Sequence, residues 1–303
     1  MVEWRQLCAG GLVRSGVRLD ALTTYKLGGA ARWYAEVGDY EHLSALAEAG
    51  AGGGDVLVLG KGSNVIVSDE GYGGLVIRLV GDYLSIRHPD DRVEAGGGVG
   101  LPRLARSAVG EGRLGLEFMV GIPGTVGGGV YQNAGCHGTE IVDVLEEVEI
   151  FDLQTGELSL VAPESLCLRY RSSAVKAHHV VTRSWFRFTP GEPSEGLEKI
   201  RAITRWRRIH QPGGTLNAGS VFKNPPGDAA GRLIDALGLK GMRIGDVSVS
   251  EKHANFFVAG ADATAEDVRR LVTEVRMRVR AETGIELEPE VRFVGFPARE
   301  VTA

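Results

Sequence analysis

Apolar positions recur along this chain with two periods. Between residues 260 and 283, Val268, Leu271, Val272, Val275 and Val279 stand three or four apart, which predicts an amphipathic helix. Thr264, followed three positions later by Asp267, resembles a capping box, and Gly284 supplies a stop. Leu43, Leu46 and Ala47 repeat the spacing over 41–49, and Leu101, Leu104, Ala105 and Ala108 do so in a helix opening near Pro102. Leu197, Ile200, Ile203 and Ile209 suggest a further helix. Short apolar runs at 56–59, 64–67 and 75–79 read as strands, and with the helix before them they form a small βαββ unit. From 83 to 188, strands at 93–95, 148–151 and 180–185 alternate with Gly-rich turns. Residues 189–195, rich in Pro, Gly, Ser and Glu, read as a linker into a last unit. If 287–293 is a strand, alternation puts Glu286, Glu288, Glu290 and Arg292 on one face and Ile285, Leu287, Val291 and Phe293 on the other.

Composition narrows the function classes. A length of 303 residues allows two or three packed units. Hydrophobic residues at 43% and charged residues at 24% are ordinary for a globular chain and argue against disorder. The net charge of −5 leaves no basic footprint, so no nucleic-acid partner is expected. No apolar run approaches the roughly 18 residues that a membrane span needs. Residues 1–15, interrupted by Glu3, Arg5 and Arg14, do not read as a signal peptide. Cys8, Cys136 and Cys167 are far apart and lack a C-x-x-C spacing, so buried thiols in a reducing cytoplasm are expected. The histidines are scattered, and His178 and His179, adjacent on a strand, would point to opposite faces; no metal site is expected. Glycine, at 44 residues, is about double the usual share of roughly 7%. Such a chain needs many tight turns or many places where backbone meets a ligand.

Five segments carry candidate chemistry. Gly60-Lys61-Gly62-Ser63-Asn64 follows a strand, and its backbone N–H groups could face an anion as in a phosphate nest. It is neither a P-loop nor a dinucleotide fingerprint, because Gly62 follows the lysine and Val65 takes the third glycine position; an ordinary glycine hairpin remains open. Gly121-Ile122-Pro123-Gly124-Thr125-Val126-Gly127-Gly128-Gly129, followed by Asn133-Ala134-Gly135-Cys136-His137-Gly138, reads as backbone packed against a planar or diphosphate ligand. Ile122, Val126, Val130 and Tyr131 make it too apolar for a flexible linker, though a solvent-facing loop is the competing reading. Asn217-Ala218-Gly219-Ser220-Val221-Phe222-Lys223-Asn224-Pro225 could form a polar anion pocket or a plain turn and strand. The carboxylates near Glu290 read either as a solvated face or as a tunable acid beside an arginine. Tyr170-Arg171-Ser172-Ser173 says little alone.

Together and in this order, these segments resemble the UDP-N-acetylenolpyruvoylglucosamine reductase family, from Thr24 to Gly295. The specific pieces are Gly-Lys-Gly-Ser-Asn at Gly60, Gly-Ile-Pro-Gly-Thr-Val-Gly-Gly at Gly121, Tyr-Arg-x-Ser at Tyr170, Ala-Gly-Ser-Val-Phe-Lys-Asn-Pro at Ala218 and Leu-Glu-Pro-Glu-Val-Arg at Leu287. The resemblance implies an α+β fold: a two-lobed FAD-binding domain of the vanillyl-alcohol-oxidase type over 19–80 and 81–195, and a smaller substrate domain over 196–303. The short stretch from Arg171 to Ser220 looks like the family's type II form. Non-covalent FAD would meet Gly60, Lys61, Gly62, Ser63, Asn64, Val65, Gly121, Pro123, Gly124, Thr125, Gly128, Asn133, Gly138 and Val180.

The implied reaction reduces the enolpyruvyl ether of UDP-N-acetylglucosamine, with NADPH as reductant, to UDP-N-acetylmuramate. By resemblance Ser220 is the proton donor, and Arg171 and Glu290 bind and polarise the substrate carboxylate. The three are expected to converge at the reactive edge of the flavin. Two ionised carboxylates would repel, so a raised pKa is expected for Glu290. Tyr170, His210, Lys223, Asn224, His253 and Asn255 match substrate contacts. Where the family often has lysine before Gln-Pro, this chain has His210, so substrate binding is expected to weaken as pH rises through the histidine pKa. Cys136-His137 departs from the family's Ala-Tyr, which alters the expected flavin surroundings. A cytoplasmic monomer is expected. Competing readings are another flavoenzyme of the superfamily, such as an oxidase, and a non-catalytic nucleotide-binding module, which would be colourless.

Overall fold

The structure, a computed structural model, describes residues 4–297. The fold is α+β, and its residues group into two compact units that interleave along the chain. The first holds the segment ending at Val17, Arg32–Lys61 and Gly74–Trp206; the second holds Arg18–Ala31, Gly62–Gly73 and the chain from Arg207 onward. Segments 18–31 and 62–73 therefore pack with the C-terminal part, although the linear reading puts them in the first lobe.

The first unit contains two larger sheets. In one, Val13–Arg18, Ala30–Val37, Tyr72–Leu79 and Val56–Val58 lie in that order, the last two parallel. In the other, Leu158–Val161, Leu145–Asp152, His179–Phe186, Val93–Gly96 and Ile86–Arg87 are antiparallel throughout. The Leu101–Gly110 helix forms where the spacing predicts, and Leu101, Leu104, Ala105 and Ala108 are completely buried in the core of the second sheet. A second core joins Leu43, Leu46, Val56, Leu75 and Ile77 to Phe151 and Val180, register partners of the five-stranded sheet.

The second unit is built around the Ala265–Thr283 helix. Thr264 Oγ1 accepts from Asp267 N at 3.1 Å and the Asp267 carboxylate accepts from Thr264 N at 3.1 Å, the expected capping box. Gly284 ends the helix with φ 72°, a conformation in which glycine avoids the Cβ penalty. Val268, Leu271, Val275 and Val279 are fully buried in the core that also holds the strands Val247–Val249 and Phe257–Ala259.

Several expectations are corrected. The linker at 189–195 is ordered: Thr189–Pro190 pairs with Arg113–Leu114, and a helix runs Pro193–His210, its proline tolerated because the first helical N–H needs no intrahelical partner. Val65–Val67 leaves the expected βαββ sheet and pairs in parallel with Arg292–Val294. Of 287–293 only Arg292 and Phe293 lie in a strand, Arg292–Val294, yet Leu287 and Val291 are buried while Glu286 and Glu288 are exposed, so the alternation of these four holds outside the ladder. Cys8 and Cys167 are exposed and Cys136 half-buried, against the expected buried thiols.

Candidate active site

In the first unit, glycine lets three stretches of backbone approach one another. A methyl group on Gly97 would lie 1.9 Å from Val181 O, one on Gly60 would lie 2.5 Å from Thr125 Oγ1, and one on Gly100 would lie 2.8 Å from Lys61 Nζ. The Gly121–Gly129 loop is laced to the Gly97–Leu101 turn. Leu101 N donates to Gly124 O (3.0 Å), Val126 N to Val99 O (2.8 Å) and Gly127 N to Gly97 O (2.8 Å). Thr125 caps the following helix, accepting from Gly128 N at 3.3 Å. Of the expected cofactor residues, Gly60, Lys61, Gly124, Thr125 and Gly128 thus belong to one glycine-lined backbone surface. Gly121 packs against Cys136, where a methyl would meet Sγ at 2.5 Å, and Gly138 takes φ 82° beside His137, whose ring sits edge-on to Trp206 at 5.0 Å. Val180 is fully buried in the core between the sheets. Gly97 and Gly100 were missed by motif reading; the run Gly96-Gly97-Gly98-Val99-Gly100 was their signal.

Arg171 is held in the same unit. Its backbone takes φ 51°, a left-handed conformation costly for a residue with a Cβ. Its guanidinium donates to Gly135 O (3.1 Å) and Glu140 Oε1 (3.3 Å), and lies 4.8 Å from the centre of the half-exposed Tyr170 ring. Asn133, fully buried and left-handed, places its amide on the other Glu140 oxygen (2.8 Å) and on Arg169 O, while its Oδ1 accepts from Val142 N (2.9 Å). Glu140 therefore orients both Asn133 and Arg171. No motif announced it, since a single glutamate in the two-residue strand Thr139–Glu140 is unmarked in sequence.

The second unit frames Ser220 and Glu290. Gly219, at φ 76°, closes an Asx turn in which its N–H donates to Asn217 Oδ1 at 3.0 Å, and Ser220 follows half-buried. The segment after it is pinned on both sides. Val221 N donates to Asn255 O (2.9 Å), Glu290 N to Val221 O (2.8 Å) and Lys223 N to Glu288 O (2.9 Å). Asn255, 3% exposed, brackets Phe222, accepting from its N–H (2.9 Å) and donating to its carbonyl (2.8 Å). Asn64 donates to Glu290 O (3.0 Å) and its own carbonyl accepts from Arg292 N (3.0 Å), so this residue of the Gly60 motif secures the half-buried Glu290. Gly62 is fixed in the same unit at φ 61°, where a methyl would lie 2.6 Å from Leu22 O; Ser63 and Val65 beside it are half-buried.

Basic groups complete this region. Lys223 Nζ pairs with the exposed Glu288 at 2.6 Å. His253 is half-buried against Phe256, and burial, reinforced by Lys240 and His210, pushes its pKa below the ordinary histidine value. His210, at the exposed end of the Pro193–His210 helix, thus lies close enough to act on it. Asn224 Oδ1 accepts from Ala230 N at 3.1 Å and opens the next helix. No helix among the described residues is long and apolar enough to cross a membrane.

Comparison with known proteins adds a second line of evidence. Residues 32–161 match a family described as an FAD binding domain, and residues 211–294 match the C-terminal domain of UDP-N-acetylenolpyruvoylglucosamine reductase. A UDP-N-acetylenolpyruvoylglucosamine reductase 2 of Symbiobacterium thermophilum is 42% identical over 94% of this chain and 93% of its own. The reductase of Rubrobacter xylanophilus is 44% identical over 92% and 94%. A crystal structure of the reductase from Thermus caldophilus superposes with a TM-score of 0.81 at 38% identity, covering 93% of this chain and 99% of that one.

Proposed function

The chain belongs to the UDP-N-acetylenolpyruvoylglucosamine reductase family, and on that premise we propose how its residues perform the family's reaction. The protein is an FAD-dependent oxidoreductase that uses NADPH to reduce UDP-N-acetylglucosamine enolpyruvate to UDP-N-acetylmuramate in peptidoglycan synthesis. The observation that carries this reading is one chain holding both an FAD-binding match and the reductase's C-terminal match. A cytoplasmic monomer is part of the proposal.

The backbone surface formed by Gly60, Gly97, Gly100, Gly124 and Gly128 is assigned to FAD, and glycine lets it form, because side chains at Gly60, Gly97 and Gly100 would strike Thr125, the Val181 carbonyl and Lys61. Gly60, Lys61, Gly62, Ser63, Asn64, Val65, Gly121, Pro123, Gly124, Thr125, Gly128, Asn133, Gly138 and Val180 are assigned to holding it. Val180, buried, would serve through its backbone, and Asn64 and Asn133, whose amides are bonded within the protein, through the shape of their turns. When bound, FAD supplies the hydride that NADPH provides, delivered to the vinyl carbon distal to the substrate carboxylate.

The residues of the chain handle the charge and the proton. Negative charge develops on the substrate carboxylate as the double bond is reduced. Arg171, oriented by Glu140 and Gly135 O, binds that carboxylate and stabilises the growing charge, an effect worth about 10²–10³ in rate. The Ser220 hydroxyl gives its proton to the carbon bearing the carboxylate, so hydride and proton add across the double bond. Glu290 serves in protonated form, since a second ionised carboxyl would repel the substrate. Lys223 and His210 attract the diphosphate, which competes with Glu288 for Lys223. Tyr170, Asn224 and His253 shape the remainder of the substrate site, and Asn255 acts through Phe222 by fixing the Ser220 segment.

The test is product analysis. Purified protein, yellow from bound flavin, incubated with NADPH and the enolpyruvyl substrate should yield UDP-N-acetylmuramate and NADP⁺ in equal amounts. NADPH consumption that needs oxygen and forms no muramate would identify an oxidase instead.

A further inference from the structure

We propose that Asp152, His178 and His179 form a binding site for a divalent transition-metal ion of the zinc class, apart from the residues assigned to the reaction. Asp152 and His179 are register partners on the antiparallel strands Leu145–Asp152 and His179–Phe186. His178 precedes the strand in a turn, which frees its ring from strand alternation. The two rings consequently stand on one side, centres 4.7 Å apart and nearly perpendicular, contrary to the opposite faces expected from sequence.

The distances leave room for a shared ion. Asp152 Oδ1 lies 3.9 Å from His178 Nε2, and Asp152 Oδ2 lies 3.6 Å from His179 Nε2, both beyond hydrogen-bond range. One ligand atom from each residue falls within 4.8 Å of the others. Donors each bound at about 2.0–2.1 Å to a tetrahedral ion stand roughly 3.3–3.4 Å apart, so side-chain rotation that draws the widest pair in by up to about 1.5 Å closes the site. The groups are partly sheltered, with side-chain exposures of 18% for His178, 21% for His179 and 26% for Asp152.

The surroundings hold the ligands in place. Gln154 N donates to Asp152 Oδ1 at 2.7 Å, and Leu153 N donates to His178 O at 3.0 Å. His179 Nδ1 accepts a long 3.3 Å contact from Lys176 N. Ligation through Nε2 gives up that contact and moves the ring proton to Nδ1. Two imidazoles and one carboxylate suit zinc, nickel or copper rather than magnesium or calcium, and leave a position for water. The bound ion would tie two strands of the five-stranded sheet together at their ends.

The test uses the flavin-loaded protein stripped of metal with a chelator. Calorimetric titration with zinc chloride should report one ion per chain, and magnesium chloride none. Zinc should raise the thermal midpoint. His178→Ala and Asp152→Asn should each weaken zinc about tenfold or more and abolish the thermal shift, with an unchanged flavin spectrum confirming the fold. A Cys8→Ser/Cys167→Ser variant should bind zinc as the parent does, since both exposed thiols lie outside the site. Absence of binding in the parent, equal affinity in parent and both site variants, or loss of binding in the cysteine variant would each overturn the proposal.

Discussion

Asn255 commits both ends of its amide to one residue, and this gives it a consequence that a substrate contact would not have. Asn255→Asp keeps an acceptor for Phe222 N–H but loses the donor to Phe222 O, leaving a buried carbonyl unpaired at about 1–3 kcal/mol. Urea unfolding should show that loss. The variant should also slow substrate reduction while NADPH oxidation by the flavin keeps its rate, because Ser220 moves and the glycine surface does not. Equal slowing of both would assign Asn255 a general structural role. At this scale the sequence was legible where chemistry and turn signals coincide, as at Gly219-Ser220. It was silent on Glu140 and on the clamping role of Asn255, since Glu140 reaches Arg171 and Asn255 reaches Phe222 across more than thirty positions and neither stands in a patterned segment.

Elements whose cause is local were readable in advance. The Ala265–Thr283 helix announces itself by a 3.6-residue stripe, a capping box and a glycine stop, and all three form. Thr264→Ala should therefore cost about 1 kcal/mol, read as a lowered urea midpoint. Elements fixed by remote pairing were not readable. Val65–Val67 finds its partner at Arg292–Val294, over two hundred residues on, and nothing in three apolar residues tells which sheet they join. The Gly97 turn is the same kind of case, because its need for glycine comes from Val181 O across the sheet. Gly97→Ala forces the two backbones apart and should destabilise by about 1–3 kcal/mol or more, with weakened FAD retention on gel filtration. Unchanged stability and flavin content would remove Gly97 from the account.

For the whole molecule, acid sensitivity follows from three histidines. Burial lowers the pKa of His88, His179 and His253 in the folded state, so the unfolded chain takes up protons first as pH falls. The stability they contribute is complete above the unfolded histidine value of about 6.5 and is lost as pH falls through their folded values. The urea midpoint should drop between pH 7 and pH 5, above the range where Asp20, Asp228 and Glu266, all lowered by arginine partners, begin to protonate. His88→Asn should flatten that drop in part; an unchanged slope would exclude His88 as a source. The α+β class and the reductase family were legible because five glycine- and charge-marked segments keep their order, whereas the interleaving of the two compact units was hidden by chain continuity.

The central claim is that Ser220 delivers the proton that completes substrate reduction, and anaerobic stopped-flow absorbance tests it most directly. In Ser220→Ala, bleaching of the flavin by NADPH should keep the parent rate, while the return of yellow colour on adding the enolpyruvyl substrate should slow by about 10²–10⁴. Recovery of colour at the parent rate would contradict the account.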